Sequence, residues 1–351
     1  MRSATPKPLH RLCGRPMVLH VLDALAELPI GKVVVVVGFR SVDVVKAVQA
    51  EAPPELPIEF VEQSRPLGTG DAAAVALTGF DEGADLADGD LVILPGDTPL
   101  LRPSTLAELV RTHRESDAAA TLLTARISDP TGYGRVVRSK SGNVARVVEQ
   151  TDAREGELEI DEVATSIYCF RHGVLAPTLR RLSPANAQGE YYLTDTIAVL
   201  DAAGYRVATF LAPDPAETAG VNDRAQLAAA EKVLRGRLND RWMRLGVTMA
   251  DPGRTYLDAA VELAEEVVLL PGVILEGATS VAPGAVVGPD CHLVDCTVGP
   301  GARVAQTVAH NATIGEGAVV GPFAFLARGS RVEPRSTTGP FARIEFDDDS
   351  Q

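Results

Sequence analysis

The sequence is poor in cysteine, in aromatic residues and in positive charge. Its 351 residues include 4 Cys, and aromatic residues make up 5%. Cys13, Cys169, Cys291 and Cys296 are too few and too widely spaced for a disulfide framework, which excludes the small disulfide-stabilised class. His292 lies between the last two, but no second ligand pair of zinc-site spacing follows. We therefore predict that these cysteines pack in the interior.

A basic leader and an apolar run of membrane length are also missing, because the valine run at 33–37 has only the length of a strand. The 33 Lys and Arg against 47 Asp and Glu give a formal net charge of −14. This balance excludes an extended basic surface for nucleic acid or anionic lipid, although one phosphate could still bind in a locally positive pocket. We predict a cytoplasmic protein without nucleic-acid or membrane partners.

Up to about residue 250, apolar strand-like runs alternate with amphipathic helical patterns. The strand-like runs are 32–39, 58–63 and 90–97, and the helical ones are 16–28, 41–52, 104–116 and 223–246. This alternation predicts an α/β, Rossmann-like domain over 1–250, with a mostly parallel sheet covered by helices on both faces. The strand-rich stretch 118–171 predicts a mixed-sheet insertion.

From about residue 262 an aliphatic residue followed by Gly or Pro recurs about every six residues. Short strands of this spacing each supply one aliphatic side chain to a triangular core, while glycines turn the corners. The pattern predicts a short left-handed parallel β-helix of hexapeptide repeats over 251–330. The period fades after Leu326, and we predict an acidic C-terminal tail over 331–351.

Three polar residues stand where a phosphate and a metal ion could bind. Asp97 follows an apolar strand, where open α/β sheets place ligands, and its carboxylate suits Mg²⁺. Asn222 could supply a second oxygen, although both residues also fit helix N-caps or turns. Lys7 lies between two prolines and is presented stiffly on a loop. The glycines at 68–70 open a helix but are a weak signal alone.

Seven motifs occur together and in a recognisable order, namely PKPLHRLCGRPMVLHV, Gln63 with LGTGDA, LPGDTPLL, DPTGYGRVV, VVEQTDA, NAQGEYYLTD and GVNDRAQL. With these motifs the chain resembles the N-acetylglucosamine-1-phosphate uridylyltransferase half of the bifunctional GlmU family. The resemblance runs from Met1 to about Leu326 and into the predicted β-helix. It implies Mg²⁺-dependent in-line attack of N-acetylglucosamine 1-phosphate on UTP, which forms UDP-N-acetylglucosamine and pyrophosphate. It also implies a homotrimer formed through the β-helix.

The resemblance assigns roles residue by residue. Asp97 and Asn222 match the Mg²⁺ ligands, and Lys7 matches the lysine that neutralises phosphate charge, so Lys7 and Asp97 are the expected catalytic residues. The remaining expected substrate contacts are Gln63 to uracil, Gly68 and Thr69 to the base through their backbone, and Gly134 and Glu149 to the sugar.

Three departures from the family limit what the resemblance implies. The family's first strand and Gly-rich phosphate loop would precede Met1, so we expect weakened nucleotide binding, unpaired neighbouring strands and a misassigned start codon. Ala164 stands where the family has a sugar-contacting asparagine, and Ser166 where it has a glycine. The β-helix repeat stops short of the acetyltransferase site, so acetyl transfer is not expected.

Two other interpretations stay open: a nucleotidyltransferase for another sugar 1-phosphate, and a non-catalytic truncated homologue with an assembly or regulatory role.

Overall fold

The computed structural model of the chain describes residues 1, 3–38, 41–80 and 89–345. Contacts divide the chain into two compact units. The first unit contains Met1–His10 and Met17–Arg224, and the second contains Arg11–Pro16 and Ala225–Gln351. Among the described residues, no helix combines the length and the apolar character needed to cross a membrane.

The helices and the strands of the N-terminal two-thirds are largely those that the apolar spacing predicts. The helices are α1 (Met17–Ala26), α2 (Val42–Glu51), α3 (Thr69–Leu77), α4 (Pro103–Glu115), α5 (Glu155–Leu158), α6 (His172–Leu179), α7 (Asp195–Ala202) and α8 (Arg224–Arg244). The strands are β1 (Arg11–Leu12), β2 (Arg15–Pro16), β3 (Val33–Gly38), β4 (Ile58–Gln63), β5 (Asp90–Ile93), β6 (Ala120–Arg126), β7 (Gly134–Arg138), β8 (Val144–Val148), β9 (Glu162–Arg171) and β10 (Val207–Leu211).

The first unit is an α/β domain whose sheet is covered on both faces. Successive side chains of a strand point to opposite faces. On β6, Leu122 therefore joins one buried cluster and Leu123 another, and on β9 Phe170 and Cys169 separate in the same way. Helices α1, α2 and α4 supply side chains to the cluster of Leu123 and Cys169, whereas α6 and α7 supply the other. The predicted fold class is confirmed.

Strand directions in this unit are mixed, as predicted for the strand-rich stretch 118–171. The larger sheet has the order β10-β6-β9-β7-β8, and β5 also pairs with β9. β10 is parallel to β6, but β9 runs antiparallel to β5, β6 and β7. The long strand β9 is thus the element that turns a parallel arrangement into a mixed one.

β3 and β4 form a separate parallel ladder of two strands. Within the described residues, no backbone pairing joins this ladder to the larger sheet. Side chains of both nevertheless share one apolar cluster, which contains Val35, Phe60 and Val92.

The second unit is a three-sided parallel β-solenoid. Its strands are β11 (Thr248–Met249), β12 (Tyr256–Leu257), β13 (Glu262–Leu263), β14 (Val268–Leu269), β15 (Ile274–Glu276), β16 (Ser280–Val281), β17 (Val286–Val287), β18 (His292–Val294), β19 (Thr297–Val298), β20 (Arg303–Val304), β21 (Val308–His310), β22 (Thr313–Ile314), β23 (Val319–Val320), β24 (Phe325–Leu326), β25 (Arg331–Val332) and β26 (Arg343–Ile344). From β11 to β22, each strand pairs in parallel with the strand three further along the chain, so that each side of the solenoid is one parallel sheet. One of these sheets has the order β11-β14-β17-β20-β23.

One aliphatic side chain from each short strand fills the solenoid interior, as the repeat predicts. Cys291 and Cys296 are buried there, and the His292 ring instead lies beside Glu276, with Nε2 2.8 Å from the Glu276 carboxylate. The prediction that these cysteines pack in the interior is therefore confirmed.

The unit limits differ from the predicted boundaries. Trp242 and Met243 of α8 pack against the solenoid core, so this helix belongs with the solenoid although the sequence placed it before residue 251. Strands β25 and β26 pair with earlier coils, so the solenoid also extends into the predicted tail. The end of that tail, 346–351, lies outside the described residues.

Candidate active site

Lys7, Asp97 and Asn222 meet at one point in the first unit. Lys7 lies in a short 3-10 turn that follows Pro6, Asp97 follows the end of β5, and Asn222 precedes α8. The Lys7 ammonium pairs with the Asp97 carboxylate and donates to Asn222 Oδ1 at 2.5 Å. A carboxylate oxygen and an amide oxygen thus converge on a single cation, as Mg²⁺ coordination would require.

The segment that carries Asn222 is held against Asp97 by its neighbours. The backbone N–H of Val221 donates to the Asp97 carbonyl at 3.0 Å. Gly220 lies beside the site, and a Cβ there would make ordinary contact with Asp97 Oδ1 at 3.8 Å and with Asn222 Nδ2 at 3.9 Å. Burial raises the pKa of the nearby Tyr133 hydroxyl, and the backbone of Gly220 opposes that rise. Tyr133 was not predicted as part of this group.

Gln63, at the end of β4, lies beside the start of α3. Its Nε2 donates to Asp71 Oδ2 at 2.7 Å and to the Gly68 carbonyl at 3.3 Å. A carboxylate only accepts hydrogen bonds, so Asp71 fixes which side of the Gln63 amide is the donor. Asp71 is a second residue that was not predicted, and it orients the side chain expected to read the base.

Gly68 and Thr69 are tied to the 190–193 segment. Gly68 has φ +111°, and a Cβ there would lie 2.5 Å from the Tyr191 carbonyl oxygen, so only glycine fits. The N–H of Gly70 donates to that same carbonyl at 2.7 Å, and Thr69 Oγ1 accepts from Leu193 N–H at 2.9 Å. Two separate loops are thereby joined where α3 begins.

Gly134 and Glu149 lie together on neighbouring strands. A Cβ on Gly134 would lie 3.5 Å from Glu149 Oε2, so the absent side chain keeps space in front of the carboxylate. Thr194 Oγ1 donates to Glu149 Oε1 at 2.8 Å. Burial raises the pKa of Glu149, and the Thr194 hydrogen bond opposes that rise.

Ala164, on β9, is the Cα partner of Gly134. It is buried in an apolar cluster and offers no hydrogen bond to a sugar. Two residues on, Ser166 has φ +61° at an irregularity of the β6–β9 pairing, a conformation that glycine adopts more readily. Ala164 therefore lies next to Gly134, and Ser166 follows on the same strand.

A continuous series of neighbours links the three groups. Tyr133 joins the Asp97 group to Gly134, and Thr194 joins Glu149 to the 190–193 segment that contacts Thr69. Sequence patterns miss such linking residues because their contacts are distant along the chain.

Comparison with known proteins assigns the family. Residues 2–247 match the family model described as Nucleotidyl transferase. The bifunctional protein GlmU of Desulfitobacterium hafniense (strain DSM 10664 / DCB-2) is 43% identical over 345 residues, which cover 98% of this chain and 74% of that protein. GlmU of Kineococcus radiotolerans is 45% identical over 345 residues, which cover 98% of this chain and 69% of that protein.

GlmU of Streptomyces avermitilis is 42% identical over 346 residues, which cover 98% of this chain and 70% of that protein. These similarities confirm the resemblance found in the motifs. The chain therefore belongs to the nucleotidyl transferase family, as a GlmU-type sugar-1-phosphate nucleotidyltransferase.

Proposed function

We propose that the protein transfers the uridylyl group of UTP to N-acetylglucosamine 1-phosphate. A phosphate oxygen of the sugar phosphate attacks the α-phosphorus of UTP. The bond from that phosphorus to the bridging oxygen breaks, and its electron pair leaves with pyrophosphate. The observation that carries the proposal is the convergence of Lys7, Asp97 and Asn222.

The donor set fits a hard divalent cation, since one carboxylate oxygen and one amide oxygen already face a common positive charge. Asp97 and Asn222 would hold Mg²⁺. When bound, Mg²⁺ supplies charge neutralisation for the phosphates of UTP. Lys7, displaced from the two oxygens, is long enough to pair with a phosphate of the bound nucleotide.

The other groups fit the two organic parts of the substrates. Gln63 can accept from the N3–H of uracil through Oε1, because Asp71 holds Nε2 on the donor side. Gly68 lets the backbone approach the base. Glu149 and the space at Gly134 face the sugar, where Glu149 can accept from a hydroxyl or an amide N–H.

Self-association as a homotrimer is part of the proposal. The solenoid side formed by β12, β15, β18, β21, β24 and β26 carries exposed apolar residues, among them Tyr256, Val308 and Phe325. Such residues suit contact with a second copy of the chain. Light scattering after size exclusion tests this, and a monomer at assay concentration contradicts it. The cytoplasmic location stays a prediction.

Anion-exchange chromatography of the products from UTP, sugar 1-phosphate and Mg²⁺ tests the reaction. The assay uses the chain with N-acetylglucosamine 1-phosphate and, in parallel, with glucose 1-phosphate. We expect UDP-N-acetylglucosamine and pyrophosphate in equal amounts. No nucleotide sugar with either sugar 1-phosphate would overturn the proposal.

Asp97→Ala tests the metal assignment. Removing one of two protein oxygens should lower kcat/KM by at least a hundredfold, about 3 kcal/mol. Asp43→Ala, on the first turn of α2, is the matched control and should keep full activity. Equal activity of the two variants would refute the assignment.

A further inference from the structure

A second group of ligand-type side chains lies away from the candidate active site. Asp90, His113 and Cys169 place one carboxylate oxygen, one imidazole nitrogen and one sulfur within 4.8 Å of one another. Asp90 begins β5 whereas Asp97 follows its end, so the two groups lie at opposite ends of this strand. No role in the proposed reaction uses them.

The fold brings these three residues together from separate elements. Cys169 on β9 is the Cα partner of Val92 on β5 and of Thr121 on β6. His113 lies in the last turn of α4, which packs on the same face of the sheet as Cys169. The three side chains therefore meet between a helix and the sheet.

A hydrogen bond holds one ring nitrogen of His113, whereas the other ring nitrogen has no partner among the described residues. The side chain of His113 is 1% exposed, and its Nδ1 lies 2.9 Å from Thr121 Oγ1. Among the described residues, its Nε2 has no hydrogen-bond partner, although Asp90 Oδ1 lies 3.5 Å away. A buried ring nitrogen without a partner is costly, unless something else occupies the space that it faces.

The carboxylate of Asp90 is oriented in a similar way. Arg114 Nε donates to Asp90 Oδ2 at 2.6 Å, which leaves Oδ1 on the side of His113. Arg171 is the other nearby cation, and its guanidinium pairs with Asp117. Thr121 and Arg114 thus act on the histidine and the carboxylate as outer partners commonly act on metal ligands.

From this geometry we infer that Asp90, His113 and Cys169 form a binding site for a divalent ion of the zinc type. One nitrogen, one sulfur and one oxygen are the mixed donor set that Zn²⁺ accepts, with water in the fourth position. Ligand atoms on one Zn²⁺ lie about 3.5 Å apart, so side-chain movements of about 1 Å close the site. Binding displaces the thiol proton of Cys169 into solvent.

The bound ion would tie α4 to β5 and β9. It does not take part in nucleotidyl transfer, because it lies at the other end of β5. The side chain of Asp90 is 16% exposed and gives the ion a route from solvent.

Cobalt binding to the full chain tests the inference, because a thiolate bound to Co²⁺ gives a charge-transfer band that oxygen ligands do not. After chelator treatment, we expect one equivalent of Co²⁺ to produce this band and Zn²⁺ to remove it. Cys169→Ser should abolish the band, and His113→Gln should weaken Co²⁺ binding at least tenfold. Cys296→Ser, which changes a buried solenoid cysteine, is the matched control and should keep the band.

Thermal unfolding tests metal binding without relying on the charge-transfer band. Zn²⁺ should raise the Tm of the parent and of Cys296→Ser but not that of His113→Gln. Absence of a thiolate band in the parent, or its survival in Cys169→Ser, would overturn the inference. If Cys169→Ser does not fold, the His113→Gln titration decides, and unchanged Co²⁺ affinity there overturns it equally.

Discussion

Lys7 Nζ lies 2.5 Å from Asn222 Oδ1 across a separation of 215 residues, and the same ammonium pairs with Asp97. One cation thus occupies the position between the two oxygens that we assign to the metal ion. An ammonium and a divalent ion repel each other there. Metal binding and the movement of Lys7 towards the substrate phosphates are therefore coupled.

Lys7→Met should separate these two effects. Without the competing ammonium, Mn²⁺ binding measured by electron paramagnetic resonance in the absence of nucleotide should tighten about tenfold, about 1.4 kcal/mol. The kcat/KM for UTP should fall, because a phosphate loses its cationic partner. Lys46→Met on α2 is the control and should change neither quantity; unchanged Mn²⁺ affinity in Lys7→Met contradicts the competition.

Asp71→Asn should weaken the recognition of uracil. The introduced amide can donate to Gln63 Oε1, so the Gln63 amide no longer has a fixed donor side. We expect the preference for UTP over CTP, measured as the ratio of kcat/KM, to fall about tenfold. Asp71→Ser, which still offers an acceptor, should retain more of that preference. A ratio unaffected by Asp71→Asn would remove Asp71 from base selection.

Glu149→Gln should stabilise the protein at neutral pH but not in acid. Burial raises the pKa of Glu149 above that of the unfolded chain. The stabilising effect of its proton is fully present below the unfolded pKa, about 4.3, and is lost as pH rises through the folded pKa. At pH 7.5 the parent carries a buried charge that glutamine avoids, so the Tm of the variant should be a few degrees higher.

At pH 4 the Tm values of parent and Glu149→Gln should converge, and differential scanning fluorimetry can follow both. Thr194→Val is the matched second variant. It removes the hydrogen bond that opposes the pKa rise, so its stability should decline more steeply than that of the parent as pH increases. Parallel pH profiles of Tm for all three proteins would show that burial of the charged Glu149 carboxylate does not lower the stability of the protein.

Gly68→Ala should be strongly destabilising. Its φ of +111° is nearly exclusive to glycine, and the new Cβ would overlap the Tyr191 carbonyl oxygen. We expect a loss of about 2–4 kcal/mol in the free energy of unfolding. Gly189→Ala is the control: φ is +69° and a Cβ there meets nothing within 4 Å, so strain alone should cost about 1 kcal/mol. Equal losses in urea unfolding would mean that the contact with Tyr191 is unimportant.

The sequence predicts the elements well where one periodic signal dominates. The aliphatic repeat locates the solenoid, and the apolar run before Asp97 locates β5. Asp71 and Tyr133 were missed because their significance depends on contacts with Gln63 and Gly220, which local patterns do not encode. The family resemblance selects the expected substrate contacts, but it does not show that Lys7 lies between the metal-type oxygens.

Asp90, His113 and Cys169 also escape sequence analysis. Their positions have no metal-ligand spacing, since they come from β5, α4 and β9. The limits of the units are missed for a related reason. Helix α8 continues the pattern of helices in the first part of the chain, but its Trp242 packs on the solenoid. The periodicity of a helix does not show which unit it will pack against.

The separation of the β3–β4 ladder from the larger sheet affects how the candidate active site can move. Gln63 ends β4 and Asp97 follows β5, so the residues proposed for base recognition and for metal binding belong to different hydrogen-bonded ladders. Apolar side chains of both, such as Val35 and Val92, share one buried cluster, and polar contacts such as that of the Gly70 N–H with the Tyr191 carbonyl link the helix after β4 to the rest of the domain. Apolar contacts lack directional preference, so a small shear between the two ladders breaks no strand pairing. We therefore expect the distance between the proposed base and metal sites to adjust by small shear movements.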